Sequence, residues 1–257
     1  MSENWKFIPH REVNASLALG LKIVFAALLF FFGAANANAS TINRPPNYIS
    51  LKSGLVGYWT FDGKDLNTGA ALDASGQGNH GALVNMSTST SRVPGKLGQA
   101  LKFDGVDDKV SFTSTNYGTT HSVSYWINYK DTGDGVVIGG GNGVYATYIS
   151  DPTTSGLMYY SVEGAQSSLV SVAHGGLKSG QWNYLTVVRD GTSVSFYKNG
   201  FQIGTTQTLP FNNALFLSTF GSYSINTYFT TMVLDDVRIY NRALSAAEVQ
   251  QLYNMGK

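Results

Sequence analysis

The sequence predicts an all-β fold, a two-sheet antiparallel jelly-roll sandwich with a short C-terminal helix, and three observations carry that reading. Residues 182–207 run WNYLTVVRDG, TSVSFYKNG and FQIGTTQ, three alternating segments joined by Asp190-Gly191 and Asn199-Gly200, both tight-turn signals. The first segment is apolar on both sides, with Trp182, Tyr184 and Val188 on one and Leu185 and Val187 on the other. A strand with two apolar faces is covered on both, so it belongs inside a packed structure. The 29 glycines, 15 tyrosines and 14 phenylalanines suit many short strands and turns.

The length of 257 residues allows one large sandwich or two smaller domains, and neither an internal repeat nor a second domain is visible. Seventeen basic and sixteen acidic residues leave a net charge of +1, which gives no reason to expect nucleic acid as a partner. Four histidines and no cysteine make a structural zinc site a poor expectation. An exported form would rely on its core rather than on disulfides, which a domain of this size can do.

Residues 1–39 read as a signal peptide. Lys6, Arg11 and Lys22 precede an apolar run from Ile23 to Phe32, and Ala37-Asn38-Ala39 supplies a small-x-small cleavage pattern before Ser40. The run is short for a membrane span. Its long basic lead keeps an uncleaved anchor open as the alternative, and only in that case is a membrane expected as a partner. Residues 40–50, with Pro45-Pro46, read as a linker, and 51–257 as one domain.

Within that domain, Leu55 to Phe61 is the first strand, ended by Asp62-Gly63. Residues 64–80 are turn-rich and polar. Strands follow at Gly81–Val84, Gln99–Phe103 and Val110–Phe112, with 86–95 read as a loop. Further strands are expected at Ser122–Tyr129, at Val136–Gly139 and Val144–Ile149 around a glycine run, and at Leu157–Val162 and Ser168–Ala173. The meander from Trp182 is followed by strands at Ala214–Phe220 and Thr231–Tyr240. Strict alternation in the last strand puts Val233, Asp235, Val237 and Ile239 on one face, and Met232, Leu234, Asp236 and Arg238 on the other. Ser245-Ala246-Ala247-Glu248 is a capping box opening a helix through about Tyr253.

Four blocks give the chain a family resemblance. It reads GLVGYWTFD at 54–62, DASGQGNHG at 73–81, GKLGQALKFDGVDD at 95–108, and DDVRIYNRALSAAEVQQL at 235–252. In this order and spacing they resemble a laminin G-like domain of the concanavalin A-like lectin/glucanase superfamily, over roughly 50–257. The resemblance implies the sandwich fold and carbohydrate as the ligand class, and the signal peptide implies action outside the cytoplasm (secreted, periplasmic or at the cell surface). Protein-binding adhesion or a structural surface role, with an extracellular protein as partner, is the alternative.

Catalysis is not expected. Retaining glucanases of the superfamily carry two glutamates around an aspartate on one strand, and such hydrolases need two carboxylates about 5–5.5 Å apart. Beyond the leader this chain has only Glu163, alone, and Glu248, in the helix cap. There is no G-x-S-x-G elbow, and Gly139–Gly143 lacks the following lysine of a phosphate loop. His80 sits in the GNHG turn and reads as structural.

A metal is a stronger expectation. Asp235 among apolar neighbours must be hydrogen-bonded, paired or metal-bound. The glucanase relatives hold a structural calcium through a matching aspartate, which implies calcium at Asp235, with Gly105 as a carbonyl ligand and Asp62 as a further candidate. A hydrogen bond from a nearby loop amide is the competing explanation. For a sugar, an aromatic ring stacks on its apolar face while polar groups satisfy its hydroxyls. Tyr145, Tyr148, Tyr159, Tyr160, Tyr223 and Tyr228 are the candidate rings, and Asn142, Asn226 and Asp151 the polar companions, each tyrosine having ordinary packing as its other reading.

Overall fold

A computed structural model describes residues 51–130, 133–141, 143–150, 156–162 and 169–257. The signal peptide and linker expected at 1–50 lie outside these residues, as do Asn142, Asp151 and Glu163. In chain order the strands are β1 (Leu55–Trp59), β2 (Leu66–Asn67), β3 (Ala70–Ala71), β4 (Gly81–Val84), β5 (Arg92–Pro94), β6 (Gln99–Asp104), β7 (Lys109–Asn116), β8 (Thr120–Tyr129), β9 (Gly135–Gly139), β10 (Tyr145–Ile149), β11 (Leu157–Ser161), β12 (Leu169–Ala173), β13 (Trp182–Asp190), β14 (Ser193–Lys198), β15 (Phe201–Thr208), β16 (Phe216–Phe220) and β17 (Thr231–Tyr240). Helix α1 (Ala246–Met255) follows.

Two antiparallel sheets form the sandwich. One runs β15-β14-β13-β8-β17-β6-β5, with β1 also paired to β17, and the other runs β12-β11-β10-β9-β16-β7-β4-β3-β2. The inward residues of both build one core around Trp59, Phe103, Tyr125, Phe196 and Phe220. The meander forms as its turns dictate. Asn199 and Gly200 both have positive φ, as a type I′ hairpin requires. Leu185 and Val187 enter the core, while Tyr184 and Val188 face outward into a second apolar cluster with Trp126, Val249 and Leu252. Helix α1 therefore covers the outer face, which is why β13 is apolar on both sides. Its N-terminus is the expected capping box, with Ser245 accepting from the Glu248 amide.

Polar side chains fix the loop at 73–81. Asp73 accepts the Tyr58, Ser75 and Asn79 amides at 2.8–2.9 Å, and His80 Nδ1 accepts the Asp73 amide at 3.0 Å. Asn79 donates to the Val56 carbonyl at 2.8 Å, and Trp59 Nε1 donates to the Asn79 carbonyl at 3.1 Å. His80 is thus a structural acceptor.

Three features differ from expectation. Residues 64–80 include the β2–β3 ribbon, and 86–95 includes β5, all short segments held by pairing rather than by their own patterning. The first strand stops at Trp59, because Phe61 turns at φ 56°. Most consequential, β17 does not alternate strictly. The two residues between Asp235 and Arg238 face the one between Trp126 and Ser124, and Asp236 has φ 51°, so one extra residue makes a β-bulge. Met232 and Leu234 therefore share the core face with Val237 and Ile239, while Asp235, Asp236 and Arg238 point outward. The bulge is also where β17 changes partner, from β6 at Leu234 to β1 at Val237.

Candidate functional site

The outer face of the nine-stranded sheet carries a cluster of tyrosines. Tyr145 and Tyr148 stand on β10, Tyr159 on β11 directly opposite Tyr148, and Tyr223 and Tyr228 on the loop after β16. The ring centroids step from Tyr159 to Tyr148 by 5.6 Å, from Tyr148 to Tyr228 by 5.8 Å, from Tyr228 to Tyr223 by 5.5 Å and from Tyr223 to Tyr145 by 5.8 Å. Five of the six candidate rings are thus brought together; of the polar companions, Asn142 and Asp151 lie outside the described residues, and Asn226 accepts from Lys109 Nζ. Tyr160, on the inner face of β11, is core instead.

The local backbone explains the convergence. Register irregularities between Tyr145 and Tyr148 turn Ala146 and Ile149 into the core and leave both tyrosines outside. Gly139 and Gly140 let the β16 region close on β9: a Cβ at Gly139 would lie 2.7 Å from the Ser222 carbonyl oxygen, and one at Gly140 would collide with that of Phe216. The glycine run is thus a packing device. The following loop is pinned by Ser224 N–H to Gly140 O at 3.0 Å and by Val136 N–H to Tyr228 O at 3.0 Å.

Tyr145 and Tyr223 form the buried floor, with Val136 beneath. Tyr148 and Tyr159 are half-buried, and Tyr228 is 55% exposed. Tyr228 also has φ 55°, a conformation that costs a bulky residue. Burial pushes the Tyr223 hydroxyl up to about 12, with the neighbouring Tyr228 adding to it. Burial, then a hydrogen bond with Asp134, raises that of Tyr148 further. Tyr148 and Tyr223 therefore keep their protons, and the Tyr148 hydroxyl is engaged with Asp134. Asp134 was not anticipated as part of the face, since Asp134-Gly135 reads simply as a turn.

The three expected calcium ligands do not converge. Asp235 Oδ2 accepts the Lys96 and Leu97 amides, each at 2.8 Å, and Asp62 accepts the Gln99 amide at 2.8 Å, so both hold the turn between β5 and β6. Gly105 lies at the far end of β6 beside Thr231. Gly105 instead joins the acidic turn of Asp104, Asp107 and Asp108, whose carboxylate oxygens lie within 4.8 Å of one another. Burial and then the charges of Asp104 and Asp107 raise the Asp108 pKa against a hydrogen bond that lowers it. Three hard oxygen donors that repel one another fit a cation such as calcium. Both sites carry amide donors, Asp104 Oδ1 from Val106 and Asp107 as Asp235 Oδ2 from Lys96 and Leu97, but Asp235 stands without a second carboxylate ligand beside it in such a cluster among the described residues; its Oδ1 is buried with no hydrogen-bond partner among the described residues.

A concavity of about 530 Å³ lies on the outer face of the eight-stranded sheet, lined by Leu55, Tyr58, Arg238, Tyr240 and Met255 among others. Arg238 donates to Asp236 at 3.1 Å and to the Tyr58 hydroxyl at 3.0 Å. Glu248 is engaged by Arg242 at 2.8 and 3.0 Å and by the Ser245 amide at 2.9 Å. It is therefore committed to the cap and to an ion pair.

The fold has solved counterparts. Domain 4 of the GH43 extracellular arabinanase AbnA from Geobacillus stearothermophilus, in complex with arabinotriose, superposes with a TM-score of 0.57 at 22% identity, covering 78% of this chain and 98% of that one. Trypanosoma rangeli sialidase in complex with the inhibitor DANA gives 0.57 at 13% identity, over 78% of this chain and 33% of that one. The botulinum neurotoxin serotype D binding domain gives 0.57 at 15%, over 79% and 52%. This chain thus spans a third to a half of the latter two. No curated protein sequence matches it. The laminin G-like family model, described as the concanavalin A-like lectin/glucanases superfamily, matches residues 104–250, more than half of the chain, which therefore belongs to that superfamily.

Proposed function

We propose that this chain is an exported, non-catalytic carbohydrate-recognition module whose ligand lies across the tyrosine face. The observation that carries the proposal is the convergence of Tyr145, Tyr148, Tyr159, Tyr223 and Tyr228 on one outer sheet face, with Tyr148, Tyr159 and Tyr228 open to solvent. Exposed rings offer flat apolar surface to a sugar's C–H face, and their hydroxyls bond to its polar edge. Family membership and a fold counterpart solved with arabinotriose support a sugar ligand. The commitment of Glu248 to the helix cap supports a non-catalytic role, and the basic, apolar and small-x-small order of residues 6–40 supports export. Calcium is the cation that the Asp104, Asp107 and Asp108 turn would take, as a support to the fold.

The test is a broad glycan-binding panel on the purified protein, repeated with Tyr148→Ala. Saturable binding that this variant loses supports the proposal, and a folded protein that binds no glycan overturns it. One observation favours protein contact as a second reading. β15 is an edge strand without a charged residue, and its Phe201 is 64% exposed, an arrangement open to pairing with another chain.

A further inference from the structure

The concavity on the outer face of the eight-stranded sheet belongs to neither the tyrosine face nor the acidic turn. Its volume of about 530 Å³ suits one small molecule. The paired strands β1 and β17 build its base, with Tyr58 opposite Arg238 and Leu55 opposite Tyr240. The β17 bulge puts Arg238 there, since strict alternation from Leu234 would send it into the core. Leu55, Met255 and the rings of Tyr58 and Tyr240 make the lining largely apolar.

Two polar groups in that lining are buried and underused. Arg238 is 7% exposed and Tyr240 is 0% exposed. Asp236 and the Tyr58 hydroxyl engage only Nη2 of Arg238. Among the described residues Nη1 has just the Met255 sulfur, at 3.9 Å, a weak acceptor on a half-exposed side chain. Nε and the Tyr240 hydroxyl have no hydrogen-bond partner among the described residues. Burial raises the Tyr240 hydroxyl pKa and the Arg238 charge opposes it, so the two groups act on each other at the base. Buried donors left unmade are costly, and a ligand oxygen that reached them would recover that cost.

The charges nearby fix the sign of the ligand. Asp236 pairs with Arg238, Glu248 with Arg242, and the Asp73 carboxylate beside Ala74 accepts three amides. Lys52 also lines the concavity; it is exposed and has no ionic partner among the described residues. The uncommitted charge is therefore positive, a lysine joined in the lining by an arginine with donors to spare. Charge-assisted bonds favour a carboxylate oxygen over a neutral one.

We infer that this concavity is a second ligand site, which takes a small monocarboxylate with an apolar or aromatic body, the carboxylate displacing the Met255 sulfur from Arg238 Nη1. The site stands whether or not the tyrosine face binds a glycan. The full chain is titrated calorimetrically with hexanoate and phenylpropionate, with the matching neutral amides, and with acetate, at low and high salt. The expected result is saturable binding of the two larger acids, about tenfold tighter than their amides, or about 1.4 kcal/mol. Acetate, which carries the charge without the body, should bind far more weakly. High salt should weaken the acids, since Lys52 is exposed. Ala74→Trp, at an exposed position of the lining, should block binding, and Lys52→Gln should weaken it several-fold, both with the urea midpoint of the parent. Amides that bind as tightly as the acids overturn the inference, as do acids that bind Ala74→Trp undiminished. A full chain that binds none of the acids overturns it outright.

Discussion

Tyr145 and Tyr148 stand three positions apart on one strand, yet their rings lie 5.5 Å apart on the same face. In a regular strand they would point to opposite sides. The register irregularity between them gives the two rings different roles, one as buried floor and one as half-open surface. Tyr148→Ala is therefore expected to lower glycan affinity about tenfold, roughly 1.4 kcal/mol, with the melting temperature nearly unchanged. Tyr145→Ala should lower stability by ~3 kcal/mol, as loss of a large buried ring does. Calorimetric titration and urea unfolding of both variants check the division. Equal effects of the two on stability would refute it.

Tyr228 should show the opposite coupling. Its φ of 55° costs a non-glycine residue roughly 1 kcal/mol, and its ring is mostly exposed. Tyr228→Gly relieves that cost while removing a stacking surface, so the variant is expected to unfold at slightly higher urea and to bind glycan more weakly. A less stable variant with full affinity would mean that the ring serves packing alone.

The stability should depend on pH through two buried groups of opposite sign. Burial pushes the Asp235 carboxyl up to about 7, from 3.8, against the amides that lower it. The folded protein then takes up this proton near pH 7 and the unfolded chain only near 3.8. Its contribution rises as pH falls across that window and is lost above it. His121 works the other way. Burial, then the charge of Arg189, holds it down to about 3 from 6.5, so the unfolded chain is protonated first and stability falls as pH drops from 6.5. Asp235→Asn keeps a carbonyl oxygen for the Lys96 and Leu97 amides and has no proton to take up. Relative to the parent, the variant should be most favoured at pH 8 and lose that advantage by pH 5, as read from urea midpoints. A pH-independent difference would show that Asp235 does not titrate in this range.

These groups also show what could be read from the sequence. Most of the strands, the meander turns and the helix cap follow from alternation, Asn-Gly and Asp-Gly signals and the Ser245-to-Glu248 spacing, all local patterns. The faces in β10 and β17 do not, because a bulge adds a residue without any mark in composition, and each inverts the faces of everything beyond it. That is why the tyrosines could be named as candidates but not assigned to one surface. It is also why strict alternation sets Asp235 among Val237 and Ile239, whereas it faces outward to the β5–β6 turn. The pairing of Asp134 with Tyr148 joins two strands through a turn residue, and no spacing rule reaches it.

Calcium should act through the acidic turn rather than through Asp235. Asp104, Asp107 and Asp108 repel one another, and a bound cation would remove that repulsion. Added calcium is expected to raise the melting temperature by several degrees, and Asp107→Asn to abolish most of the rise while Asp235→Asn keeps it. One kcal/mol of binding free energy corresponds to roughly 2–4 °C for a chain of this size. No calcium effect on either the parent or the variants would dismiss the turn as an ion site.

The last expectation concerns Arg238. Its guanidinium is almost entirely buried, pairs with Asp236 at 3.1 Å and lies 4.4 Å above the Tyr58 ring. Removing one member of such a pair leaves the other charge buried without compensation, which costs about 3–5 kcal/mol. Arg238→Met should therefore unfold at much lower urea. Asp236→Asn combined with Arg238→Met removes both charges, and asparagine tolerates the left-handed backbone at 236. The double variant is expected to recover part of the loss, which a double-mutant cycle would register as a positive coupling. Strict additivity of the two substitutions would mean that the pair contributes through packing against Tyr58 and Met255, with charge playing no part.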